Sequence, residues 1–136
     1  MSDSIRGNIR VSIDSSFHDL YKALAEGSDP EKAPFRTMKD VFMLAACLGY
    51  RRGQRQTISG RRTQIFHWTQ FSEQVDVPIL KAIAIATTHD ILVLSDPEKI
   101  VQVAEEFANA GFQEISTQIS SGLNQPLWNA VDIIRA

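Results

Sequence analysis

The 136 residues hold one cysteine, Cys47, and three histidines. A single thiol makes no internal disulfide, which excludes a cross-linked scaffold, and its apolar neighbours make it a buried, unreactive group. His18, His67 and His89 share no metal-ligand spacing with one another or with Cys47, so no metal or other cofactor is expected. No apolar run approaches the roughly 18 residues of a membrane span. The opening MSDSIRGN has no apolar signal core, which makes the cytoplasm the expected compartment. A P-loop, GxGxxG and GxSxG are all missing, and Gly49, Gly53 and Gly60 are too dispersed to cradle a phosphate. Asp96, Glu98 and Lys99 superficially resemble a nuclease cluster, but Asp96-Pro97 accounts for them as a helix start with acids favoured by the helix dipole. No catalytic residue is expected, and the chain reads as a non-enzyme.

What is present is the material of one ordinary globular domain, 43% hydrophobic and 22% charged, spanning 1–136 with residues 1–7 as a flexible tail. NIRVSID (8–14) alternates Ile9, Val11 and Ile13 against polar residues, the pattern of a strand with one buried face. Phe17, Leu20, Tyr21 and Leu24 stand at helical spacing, with Gly27 as the stop. A proline-bearing loop leads to Thr37, an N-cap with Asp40 three residues on. After the arginines described below, Gln56–Ile58 and Thr63–Trp68 flank Ser59-Gly60 as a small hairpin. Residues 76–88 predict a helix whose body, ILKAIAIA, is almost wholly apolar and therefore central. ILVL (91–94) reads as a short buried strand or a last helical turn. Pro97 starts a helix with Ile100, Val103, Ala104 and Phe107 inward and Glu98, Lys99, Gln102, Glu105 and Glu106 in water. Gly111 ends or bends it, SGLNQ (121–125) breaks the next piece, and Pro126 opens a last helix through Trp128, Val131 and Ile134. The expected class is mainly α (α+β): a compact helical domain with a short N-terminal strand.

Thr37 to Arg62 is the stretch around which the chain is organised. Met38, Val41, Phe42, Ala45 and Leu48 form one apolar face, and Met43, Leu44, Ala46 and Cys47 fill most of the others. A helix apolar all round must be covered all round. Gly49 lets the chain turn, and Tyr50 leads into Arg51, Arg52, Arg55, Arg61 and Arg62. The net charge of −2 hides a strong asymmetry. Residues 36–62 hold seven Lys/Arg against one Asp/Glu, and residues 63–136 hold three against nine. A cluster made wholly of arginine suits bidentate phosphate contact, with Tyr50, Phe66, His67 and Trp68 able to stack on bases or to pack inward. Four to six phosphate contacts would give a log–log salt slope near −4 to −5 on duplex DNA. The competing reading is that the loop pairs with the acidic C-terminal half, Glu105 and Glu106 included.

The segments FRTMKDVFMLAACLGYRRGQR (35–55), IFHWTQF (65–71), KAIAIATTHDILVL (81–94) and VAEEFANAGF (103–112) resemble the dnd system-associated protein 4 family, small bacterial proteins encoded with DNA phosphorothioation systems. That resemblance, from about Ile9 to Phe112, implies an accessory part in DNA modification or in the restriction-type defence coupled to it. It implies larger partner proteins that carry the chemistry, and by analogy contact with DNA. It assigns no catalytic residue. On it, Arg51, Arg52 and Arg55 are the first candidates for phosphate contact, and Arg61 and Arg62 the second; a homo-oligomer is a further expectation.

Two other functions fit the residues. The arginine loop could dock on an acidic protein, making the chain an adaptor. Alternatively, the lone N-terminal strand needs a partner, either a later strand or the same strand of a second copy. The second solution is that of ribbon-helix-helix repressors, in which Arg6, Asn8, Arg10 and Ser12 would read a major groove. The loop between the first two helices is longer here than in those proteins.

Overall fold

The computed structural model describes residues 8–120 and 126–135, so the expected tail and the SGLNQ break lie outside the described residues. Strand β1 (Arg10–Asp14) leads through a 3-10 turn into helix α1 (His18–Ala25), followed by α2 (Met38–Arg52). Strand β2 (Arg62–His67), α3 (Asp76–Thr88), a 3-10 turn over Ile91–Ser95, α4 (Pro97–Ser120) and α5 (Pro126–Arg135) complete the chain. The expected class, helical with a small sheet, is the one observed.

β1 pairs antiparallel with β2, Arg10 facing His67 and Asp14 facing Arg62, with a register shift between Val11 and Ser12. The partner of the N-terminal strand is thus a later strand of the same chain. The expected hairpin does not form: its second half pairs with β1, and Gln56 turns its N–H to the Glu106 carbonyl at 3.0 Å. β1's other side is also occupied, because the Ser12 N–H donates to Glu105 Oε2 at 2.7 Å. The Ser12 donor is therefore not available to a second β1, and the strand does not need a second copy for its pairing.

The Thr37 cap is as the sequence predicts. Its hydroxyl accepts from the Asp40 N–H at 3.3 Å and lies 3.2 Å from the Asp40 carboxylate. Gly49, by contrast, does not turn the chain. Helix α2 runs on to Arg52, and Gly53 ends it in the left-handed region at φ 66°. The Gly53 and Gln54 N–H groups return to the Tyr50 and Gly49 carbonyls, the reciprocal pattern of a glycine-terminated helix. Gly49 serves the packing of α2 on α4, the most extensive contact between elements. A Cβ on Gly49 would fall on the Phe107 carbonyl, 2.8 Å from its carbon, and one on Gly111 would fall on the Ala45 carbonyl, 2.8 Å from Gly49 N. The two backbones touch at these glycines, with each Cα–H aimed at a carbonyl of the other helix. Gly111 therefore does not end α4, which runs on to Ser120.

Around this seam the core takes in Val11, Ile13, Tyr21, Leu24, Val41, Phe42, Leu80, Ile100, Phe112 and Ile115. Phe42, Phe66 and Phe71 meet edge-on or tilted, and Trp68 stacks edge-on to Phe71 at 5.4 Å. α3 has the predicted bounds, closed by His89 in the left-handed region. Its buried Asp76 accepts from the Ser72 N–H and pairs with Lys39, both at 2.8 Å. Yet α3 is not covered all round. Val77, Leu80, Ile83 and Ala84 are buried, whereas Pro78, Ile79, Ala82 and Ala86 face outward. The ILVL segment is not a strand but a helical turn of 3-10 type, separate from α3, and of its residues only Val93 is buried. In α5 it is Ile133, not Ile134, that enters the core.

Candidate nucleic-acid interface

The predicted arginines come together, but on α4 rather than on a free loop. Arg51 and Arg52 lie in the last turn of α2, where positive charge complements the helix dipole. Beyond Gly53 the chain lies along α4, held by the Asn109 side-chain amide, which donates to the Gln56 and Thr57 carbonyls at 3.2 and 3.4 Å. Ile58 anchors it by burial.

Four of the five arginines have partners. Arg52 makes a bidentate pair with Glu114, at 3.2 and 3.4 Å. Arg55 Nε meets Glu106 at 2.8 Å, with its guanidinium 6.0 Å from the Phe107 ring centre. Arg62 meets Glu105 at 2.6 Å. Arg51 donates to the Ile134 carbonyl at 3.1 Å, so it keeps its whole charge. Of these five, the Arg61 side chain alone is exposed with no partner among the described residues, while its carbonyl accepts from the Ser15 N–H at 2.8 Å. Five cations against three carboxylates leave a local charge of about +2.

These pairs are layered. The Glu105 and Glu106 side chains are 8% and 12% exposed, while those of Arg62 and Arg55 are 47% and 43% exposed. Carboxylates thus form an inner row along α4 and guanidinium groups an outer one. The prediction that Glu105 and Glu106 face water is overturned, because the 54–62 segment covers them. Burial pushes the Glu105 carboxyl above its usual range, against the opposing pull of the Ser12 N–H and Arg62. Asymmetric charge along the chain already pointed to such pairing, and Glu114 is the member that periodicity alone did not pick out.

The aromatic residues divide. Phe66 and Trp68 are buried in the core and cannot stack on a base, whereas Tyr50 is exposed and lies edge-on to Phe107 at 5.5 Å. Asp96 caps α4 by accepting from the Lys99 N–H at 3.1 Å, as a helix start requires. Among the described residues no group of three or more His, Cys, Asp and Glu is placed to hold a metal ion. Cys47 is half-buried, and desolvation raises its thiol pKa. No helix among the described residues is long and apolar enough to cross a membrane.

The family model for DNA sulphur modification system-associated protein 4 matches residues 8–134. No curated protein and no solved structure gives a match. The family match takes in both strands and the arginine edge with the α4 carboxylates that brace it, and it reaches nearly to the end of α5. The chain therefore belongs to the DNA sulphur modification system-associated protein 4 family, and it is an accessory protein of such a system.

Proposed function

We propose that this protein is a non-catalytic accessory component that meets DNA phosphates through the arginine edge while working with other proteins of the modification or restriction machinery. The observation that carries this reading is the layering of the ion pairs. A guanidinium has five N–H donors. Arg55 and Arg62 each spend one on a buried carboxylate, which leaves the rest pre-aimed at the surface. Such bracing lowers the entropy lost when a phosphate binds. It also lowers the net charge on offer. With about two uncompensated cations rather than five, the log–log salt slope on duplex DNA should be near −2.

Arg61 is the cleanest probe, since its side chain has no partner among the described residues. Arg61→Ala should weaken low-salt binding and flatten the slope while leaving the melting temperature unchanged, and adding Arg51→Ala should weaken binding further. A salt-titrated binding assay on intact, nicked and sulfur-modified duplexes tests this. Unaltered binding in the double variant would end the proposal for this edge.

One observation favours a second reading. Three of the five guanidinium groups are already neutralised, which suits an adaptor docking on an acidic protein more than a strong DNA binder. On that reading no duplex shift occurs even at low salt, and a stable complex forms with another protein of the system.

A further inference from the structure

Helix α3 leaves one face unpartnered, and that face has no charge. Val75, just before the helix, and Pro78, Ile79, Ala82 and Ala86 within it are all exposed, with Ile79, Ala82 and Ala86 at three- and four-residue steps on one side. Between α3 and α2 the same surface opens into a groove of about 280 Å³ lined by Cys47, Tyr50, Ile79, Ala82 and Ile83. Just past the C-terminal end of α3, Ile91 and Leu92 project into water, 70% and 73% exposed, on a turn anchored by buried Val93. They are the most exposed large apolar side chains among the described residues.

We propose that a second copy of this chain docks on the α3 face, the Ile91–Leu92 knob of each copy entering the α2–α3 groove of the other about a two-fold axis. Three observations select this occupant. First, groove and knob are both apolar and both belong to this chain, at separate places along α3. A two-fold dimer needs that arrangement, because each contact is then made twice. Second, the face has no cation for a phosphate and no ion for a charged protein, so its partner must be apolar there. Third, the area suffices. From their fractional exposures, Tyr50, Val75, Ile79, Ile91 and Leu92 leave roughly 600 Å² in water, the upper end for a monomer's apolar patch. Two copies would bury roughly 1,200 Å², the lower limit of a stable specific interface. An interface at that lower limit makes a reversible dimer. It does not depend on the arginine edge.

Sedimentation equilibrium of the full chain over a concentration series tests the proposal. The expected result is a monomer–dimer equilibrium, weakened at least about tenfold by Leu92→Glu and by Ala82→Glu. Both positions are exposed, and circular dichroism should show each variant folded. A second measurement locates the contact. Under mild oxidation, Leu92→Cys should give a covalent dimer through a disulfide to Cys47 of the other copy, mapped by peptide mass spectrometry, and Cys47→Ala should abolish that cross-link. A chain that stays monomeric through the high-micromolar range overturns the proposal and leaves the face to a different protein. So does a dimer that ignores both glutamate substitutions, or one whose cross-link does not involve Cys47.

Discussion

Gly111→Ala adds one methyl group where α4 touches α2, and the structure says what that methyl meets. Its position falls on the Ala45 carbonyl, 2.8 Å from Gly49 N and 3.0 Å from the Ala45 carbonyl carbon. All three atoms are backbone, so no rotamer change relieves the clash and the helices must move apart. Overpacking of this kind costs about 1–3 kcal/mol, and more when backbone has to shift. Losing the Cα–H contact adds roughly 0.5–1 kcal/mol. Against this, alanine is favoured over glycine in a helix interior by about 1 kcal/mol. The net expectation is a loss of roughly 0.5–3 kcal/mol from a total of about 5–15. In urea, followed by circular dichroism, the midpoint should fall by up to about 2 M. Gly49→Ala should behave similarly, and the double variant should lose less than the two combined, because one separation of the helices admits both methyls. Gly53→Ala is the control: it meets no atom within 4 Å and has only its left-handed φ to oppose it, at about 1–2 kcal/mol. A Gly111→Ala protein as stable as the parent would refute the backbone contact, since the helix-propensity gain would then stand unopposed.

Other expected outcomes concern the polar framework. Glu105→Gln replaces the carboxylate that accepts from the buried Ser12 N–H and pairs with Arg62, so its effect on stability should vary with pH. Because burial raises the Glu105 pKa, this group's contribution is fully present below the unfolded value near 4.5 and is lost as pH rises through the folded value. The parent should therefore gain on Glu105→Gln as pH falls toward 4.5, which chemical denaturation across pH 4–7 would show. Thr37→Ala should cost about 1 kcal/mol by removing the α2 cap, read as a shifted thermal midpoint. Asp76→Ala should cost about 1–3 kcal/mol, since it strands the Ser72 N–H, while Lys39 keeps its ion pair with Asp40 at 3.1 Å.

Features written in neighbouring residues were legible from the chain. The Thr37–Asp40 box, the Asp96-Pro97 start and the bounds of α3 all depend on side chains within one turn of the backbone they cap. Strand β1 was legible for the same reason, from alternation alone. Its pairing with β2 was not, since Ser59-Gly60 favours a local hairpin by turn chemistry and a contact across some fifty residues leaves no local mark. Gly49 and Gly111 were misread in a similar way. A glycine inside a helix looks like a stop, and only the opposing backbone reveals that it is a point of approach. Glu105 and Glu106 show the limit of periodicity, which reports that a residue is polar and not that an arginine segment will lie across it. The arginine cluster itself was visible as composition, but its layering over carboxylates arises from tertiary packing.

The bond from Ser12 to Glu105, closed across 93 positions of chain, has a consequence for solubility. An unpaired strand edge is a template on which another chain can grow a sheet. Here a carboxylate oxygen sits where the carbonyl of a neighbouring strand would sit, and it brings a charge no sheet interior accepts. Glu105 thus occupies that donor from a helix that itself packs against β1. Glu105→Ala should leave the Ser12 N–H without its acceptor, and light scattering during refolding would show whether the strand edge then promotes aggregation.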